Sequence, residues 1–536
     1  MDAGEAVKAN VSSFIAELEQ RASPIDDELC LTYWEFANTG NSALQPKLVE
    51  LEMRMHAIFS DPQSFQQVKA WRDGGGLPAE QARIIALLYY GFLVNQEPEA
   101  LARRKAELDA EISGHYANFR GEVDGKKLTN NDIKDILKQS DDSGQRRQAW
   151  EASKQIGPVV RELILELVGK RNETARMLGF RDYYAMRLEA QEIDENELYA
   201  LLDKLEQLTR EPFANAKAGL DARLVKRFGL ASAAELYPWH YIDPFFQDAP
   251  AITQLDMDPY FRGKNIEKLT VETYDRVGLD IRPSLVQSDL YEREGKDQHA
   301  FCLMIGRHPD QVHVLCNVRD NESWTGTMLH EFGHAIYDQT LRAEQQHFLR
   351  GAAHTNTTEA IAMLFGRLTH DEAWLVDVLG VDAAEAARLA SDSHRQISWQ
   401  MLVFTRWMMV MTHFERALYA DPAQDLNTLW WELVEKYQML KRPPQREMPD
   451  WATKTHIAQA PVYYHNYMLG EMTASQMQHY IEHTLGQQPL VRQPATGAWL
   501  RDKLFRQGAF RPWNEALEYL TGEKLNPEHF VRQFVH

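Results

Sequence analysis

Apolar residues recur at helical spacing along most of the chain, and this pattern predicts a mainly α fold. Residues 1–240 read as amphipathic helices with short breaks. Asp73-Gly74-Gly75-Gly76 and Asp124-Gly125 are turn signals between helical periods. Asn130 and Asn131 stand before an Ile–Leu stripe and predict a capped helix within Leu128 to Ser140. Four prolines between Pro238 and Pro259 interrupt the periodicity, so a hinge or lobe boundary is expected there, and helical spacing resumes over Ile266 to Val277. His299 to Val318 is the best strand region. HAFCLMIG and VHVLCNV flank Arg307-His308-Pro309-Asp310-Gln311, and a turn centred on Pro309 puts Cys302 opposite Cys316. The expected organisation is one catalytic unit over 1–536. Residues 1–240 form a mainly helical N-terminal lobe, and 241–536 form the part with the chemistry and an edge hairpin at 299–318.

The strongest chemical signal sits on the helix predicted over Trp324 to Leu341. His330-Glu331-Phe332-Gly333-His334 is an HExxH pattern. Residues four apart lie about 40° from each other around a helix, so His330 and His334 can present two imidazoles to one ion. Neutral imidazole is a good zinc ligand, and Glu331 lies to the side of the pair, where it reaches water beside the metal. Trp324, Met328, Leu329, Phe332, Ala335 and Ile336 form the apolar stripe of the same helix. A catalytic zinc takes a third protein ligand. Glu359, 25 residues after His334 in NTTEAIAMLFGRL, is the candidate. Asn356 or Thr357 can cap that second helix and put Glu359 in its first turn. The alternative for Glu359 is an acidic first-turn residue favoured by the helix dipole.

Two other stretches carry chemistry. His479-Tyr480-Ile481-Glu482-His483 is an inverted HxxEH pattern near a helix end, read as a surface pair because few residues follow to supply a third ligand. Lys454 to Tyr467 concentrates Lys454, His456, Tyr464 and Tyr467. With Pro461 opening a helix, Tyr464 and Tyr467 share a face. Such phenol and imidazole donors either stabilise an oxyanion or cover a core edge.

Composition narrows the function classes. The formal net charge of -20, from 58 basic and 78 acidic side chains, argues against nucleic-acid binding. No run of about 18 apolar residues occurs, so no membrane span is expected. Ile397 to Tyr419, with Met401, Met408, Met409 and Met411, is helix core interrupted by Gln400, Arg406, His413, Glu415 and Arg416. Cys30, Cys302 and Cys316 are too few for a disulfide framework. Paired buried thiols are expected at Cys302 and Cys316, a cross-strand disulfide being the alternative in an oxidising compartment. The first twenty residues lack a basic-then-apolar leader, so the expected location is cytoplasmic, or periplasmic or secreted after removal of a signal.

HEFGH followed by TTEAIA resembles the gluzincin zinc peptidases, and within them angiotensin-converting enzyme and the thimet oligopeptidase/oligoendopeptidase group. The HIxxxPxYYxxY run at His456 to Tyr467 looks like the oligoendopeptidase pattern. Lys454 two residues before His456, and RPWNEALEYLTGE at Arg511 to Glu523, look like converting enzyme. WEASKQIGPVVREL and GFRDYYAMR are similar to its N-terminal half. The resemblance covers Arg146 to Phe534.

It implies a two-lobed helical fold with a deep central channel and one zinc held by His330, His334 and Glu359. Glu331 is then the general base, and His456 and Tyr467 stabilise the tetrahedral intermediate. His299 and Ala300 correspond to an edge strand that pairs with substrate backbone, and Lys454 and Tyr464 to the pair that holds a free C-terminal carboxylate. Two positions depart from converting enzyme. Met363 stands where an aspartate supports a zinc histidine, and Asn466 where an arginine is linked to chloride, so chloride activation is not expected. The expected activity is zinc-dependent hydrolysis of oligopeptides with release of C-terminal dipeptides. The alternatives are an oligoendopeptidase of the same fold and a peptide-binding protein without catalysis.

Overall fold

The computed structural model describes residues 3–535 and is built almost wholly of helices, with two small antiparallel sheets. The chain divides into two compact units, each assembled from separated stretches. The first unit takes the residues up to Gln96, Leu255–Ser393 and Leu469–His529. The second takes Glu97–Gln254, His394–Met468 and the residues from Phe530 on. One boundary, between Gln254 and Leu255, falls within the proline-rich stretch, and the N-terminal helices through Leu93 group with segments far along the chain. Helices Ala3–Thr39, Gln45–Phe59 and Ala79–Leu93 thus belong with the HExxH helix. Among the described residues, no helix is long and apolar enough to cross a membrane.

The second unit contains a sheet that the periodicity did not reveal. Strand β1 (Gly121–Val123) pairs with β2 (Lys126–Leu128), and Asp124-Gly125 is the tight turn between them. Both turn residues have positive φ, 51° and 79°, as a two-residue hairpin turn demands. Strands of three residues are too short to show a period of two. The following helix, Asn130–Gln139, is capped by Thr129 rather than by the asparagines. Thr129 Oγ1 accepts the Asp132 N–H, and the Asp132 carboxylate accepts the Thr129 N–H. In the proline-rich stretch, fully buried Arg146 donates to the carbonyls of Trp239 and Tyr241, at 2.8 and 3.0 Å. These charge-assisted bonds fix backbone that has no ladder of its own.

In the first unit, β3 (Phe301–Met304) pairs antiparallel with β4 (Val312–Leu315), inside the expected hairpin. The register corrects one expectation: Cys302 lies opposite Val314, not Cys316. The hairpin closes one residue earlier, around His308, where Gly306 and Arg307 take φ of 52° and 61° and Ile305 N donates to Gln311 O at 2.9 Å. Shifting the centre of a hairpin by one residue shifts every cross-strand partner by two. Gly306 is required there, since a Cβ would stand 1.5 Å from Asp27 Oδ1. All three cysteines are free thiols. On its far side β4 exchanges backbone hydrogen bonds with Asp289, so β3 is an edge strand.

Candidate active site

The HExxH helix runs Glu322–Gln339 and starts at Asn321, whose side chain accepts the Trp324 N–H at 2.9 Å. Thr325, Met328, Leu329, Phe332, Ala335 and Ile336 are buried, while Trp324 is only half-buried. Buried Tyr274 donates to the Leu329 carbonyl at 2.6 Å, fixing the helix one residue before its first histidine. The His330 and His334 rings stand 5.0 Å apart between centroids.

Glu359 arrives on the next helix, Thr355–Gly366. Its cap is His354, whose Nδ1 accepts the Asn356 N–H at 3.1 Å, so the expected capping by Asn356 or Thr357 is corrected. Burial pushes the His354 imidazole down to about 4, and the neutral ring keeps the lone pair that capping needs. Glu359 consequently sits in the second turn rather than the first.

The two helices touch without side chains between them. A Cβ built on Gly333 would lie 2.7 Å from the Ala362 Cα, and one on Gly366 would lie 3.2 Å from the His330 Cβ. This approach brings Glu359 Oε2 to 3.5 Å from His330 Nε2 and 3.9 Å from His334 Nε2. The ligand atoms of His330, His334 and Glu359 all lie within 4.8 Å of one another.

The donor set fits zinc. Burial, reinforced by the Arg367 cation, lowers His330 to about 4; burial and His330 lower His334 to about 3. Both imidazoles are therefore neutral, as metal ligands must be. His334 Nδ1 lies 2.7 Å from Thr358 Oγ1, and donation to that oxygen leaves the Nε2 lone pair free toward Glu359. Thr358 thus gives the histidine support that Met363 cannot. Burial and the Glu359 carboxylate push Glu331 up to about 8, so its carboxyl is far more basic than usual. A cavity of about 780 Å³ opens over these residues and is also lined by Ala300, Phe301 and Cys302. His299 lies outside it, with its side chain 94% exposed and its N–H bound to Asp297 Oδ1.

The second unit gathers Lys454, His456, Tyr464 and Tyr467. The His456 ring is 5.1 Å from Tyr464 and 6.4 Å from Tyr467, and the two tyrosine rings are 5.3 Å apart. Burial and the Lys454 cation lower His456 to about 4, leaving a neutral imidazole. Pro461 does not open a helix as expected, because the helix begins at His465. Val462, fully buried, takes φ of 54°, a conformation strained for a β-branched residue. Two buried contacts hold it: its N–H donates to Glu415 Oε1 at 2.6 Å, and its carbonyl accepts from Gln191 Nε2 at 2.9 Å. Gln191 Oε1 in turn accepts from Asn466 Nδ2 at 2.6 Å.

Lys454 is 9% exposed, and its Nζ donates to Gln247 Oε1 at 2.7 Å. Phe245, Trp407 and Tyr464 surround it, with ring centroids 5.3 to 5.6 Å away. Among the described residues it forms no ion pair; Asp243 and Asp248 favour its charge from further away, and burial outweighs them, lowering it to about 8. Gln247, in the proline-rich stretch, carried no sequence signal. Its neighbour Tyr464 spends its hydroxyl on the Trp407 indole N–H at 2.6 Å. The HxxEH residues do not form a metal group among the described residues. His479 packs against His483 and His529, and His529 bonds Glu523.

A mainly helical chain with an HExxH helix, a glutamate from the next helix and neutral, half-buried imidazoles defines a gluzincin peptidase. The chain belongs to peptidase family M3, whose model matches residues 136–536. Residues 5–232 also match the family model described as angiotensin-converting enzyme. No individual curated protein matches the chain. The protein is accordingly a zinc metallopeptidase that acts on peptides.

Thr358→Val should lower zinc affinity about 10- to 100-fold, as loss of a ligand's hydrogen-bond partner does. Competition with a chelating dye measures this; an unchanged affinity would count against the role given to Thr358. A second expectation concerns Glu415, which burial raises to about 8. The folded state then holds a proton that the unfolded state releases near the ordinary glutamate value. The resulting stability is complete below about pH 4.5 and is lost as pH rises through about 8. Between those values the melting temperature of the wild type should fall relative to Glu415→Gln, and parallel curves for the two proteins would refute it.

Proposed function

We propose that the enzyme is a peptidyl-dipeptidase, releasing dipeptides from the free C-terminus of oligopeptides. The observation that carries this reading is Lys454. A buried ammonium held by an amide oxygen and three aromatic rings, with Asp243 and Asp248 acting on it only from beyond ion-pair distance, gains from a closer anion. A substrate's terminal carboxylate supplies that anion, with Gln247 and Tyr464 at its side. The alternative, internal cleavage by an oligoendopeptidase, is favoured by the breadth of the M3 match, which includes the HExxH helix.

His330, His334 and Glu359 would hold the zinc, which would supply Lewis acidity to polarise the scissile carbonyl and make water more acidic. In this proposal Glu331 takes the proton from the attacking water and delivers it to the leaving amine. A carboxyl whose basicity is raised by burial suits both transfers. The resemblance to converting enzyme assigns to His456 and Tyr467 the stabilisation of the developing oxyanion, His456 as a neutral ring. The unpaired edge of β3, with Ala300 just before it, accepts the substrate backbone as an added strand, without demanding particular side chains.

The test is mass spectrometry of products from one ten-residue peptide offered as free acid and as amide, with and without a zinc chelator. Chelator-sensitive, stepwise loss of dipeptides from the free acid alone is the expected result; internal cleavage of both forms would establish the alternative. Lys454→Met should raise KM for the free acid about 100-fold, as truncating one member of a buried charge pair does, while leaving zinc content intact. A KM within threefold of wild type would remove Lys454 from substrate recognition.

A further inference from the structure

Beside the cavity over the metal residues lies a second one of about 350 Å³, also inside the first unit. Apart from His347 and the wall it shares with the first cavity, it is lined by apolar groups: Ala22 of helix Ala3–Thr39, Met55 and Phe59 of helix Gln45–Phe59, Leu88 of helix Ala79–Leu93, and Phe348 and Ala353 from the loops before Thr355. The two cavities share Asp26, Arg307, Gly351 and Ala352. We infer that this second cavity is a substrate subsite that takes one bulky apolar side chain, leucine or phenylalanine in kind, from the peptide being cleaved. The inference rests on the peptidase reading and adds a substrate class to it.

The shared wall is a built feature of the hairpin. Arg307 is at the tip of the β3–β4 hairpin, in the left-handed backbone region beside Gly306. The tip is tied to helix Ala3–Thr39: His308 Nε2 is 3.1 Å from Asp27 Oδ1, and Arg307 Nε is 3.9 Å from Asp26 Oδ2. The charges on the shared wall therefore face each other and ask no complementary charge of the occupant. Water in such an apolar space is displaced favourably by an apolar group. A volume of about 350 Å³ corresponds to roughly ten waters, room for one large side chain.

The same hairpin links this space to the substrate backbone. An extended peptide on the edge of β3 sends alternate side chains to one side, so a single substrate position faces the second cavity while its neighbours face away. The enzyme then recognises backbone along β3 and selects one side chain by size and apolarity.

The test is a series of alanine-rich ten-residue peptides, each with one phenylalanine, cleaved by the zinc-loaded full chain. One position should raise kcat/KM about 10- to 100-fold over the all-alanine peptide, the range expected for burying one large apolar side chain. Ala353→Leu and, separately, Ala22→Leu narrow the cavity. Each should cut that preference to below threefold while cleaving the all-alanine peptide as the wild type does. No preferred position in the wild type, or a preference that survives both narrowed variants, overturns the subsite. Calorimetry on zinc-loaded Glu331→Gln reads binding without turnover and separates the two proposals. Tighter binding of the phenylalanine peptide, lost on adding Ala353→Leu, supports the subsite even if the wild type cleaves nothing, in which case only the peptidase reading fails. Equal affinities for the two peptides overturn the subsite.

Discussion

The two helices of the metal region approach each other backbone to backbone. Gly333 lies in the middle of HEFGH, between the two histidines, and faces the Ala362 Cα at a distance that leaves no room for a Cβ. A helix carrying any other residue there would be held away from helix Thr355–Gly366, and Glu359 would move away from both imidazoles. Glycine in a helix interior costs about 1 kcal/mol relative to alanine. Here that cost is offset by a geometry that a side chain would prevent. Gly366, packed against the His330 Cβ, repeats the device one turn further along.

Burial then does the electrostatic work. It removes protons from His330 and His334, which suits metal binding, and adds basicity to Glu331, which suits proton transfer. Neighbouring groups act in the same sense: Arg367 disfavours a second cation on His330, and Glu359 disfavours a second anion on Glu331. In the second unit, the same physics leaves Lys454 an enclosed cation in an aromatic box and His456 a neutral ring. The loop that carries these groups is held by Glu415 and Gln191 through the backbone of one strained valine.

Much of this was legible in the sequence, for reasons that differ residue by residue. His330 and His334 are readable because the i, i+4 relation is local and survives any packing. Glu359 needed a family resemblance, since spacing alone left a helix-dipole reading open. Local turn chemistry was misjudged where a competing partner won. His354 took the cap from Asn356, Thr129 took it from Asn130, and Val462 takes a left-handed backbone conformation, so Pro461 could not start a helix. The hairpin was found, but its register slipped by two because the turn is set by Gly306 and Arg307 rather than by Pro309. Thr358, Gln247 and the Gly333–Ala362 contact depend on approach between segments 24 to 207 residues apart, and no local pattern announces them.

The most direct test of the central claim is the zinc affinity of Gly333→Ala, measured by chelator competition alongside far-ultraviolet circular dichroism. Alanine is the better helix former, so the helix itself should persist, and a loss of affinity cannot be assigned to propensity. The account predicts wild-type helicity with zinc affinity lower by about 10- to 100-fold, the scale set by disturbing a ligand's support. Wild-type affinity in the alanine variant would contradict it, showing that His330, His334 and Glu359 converge without the close approach at Gly333.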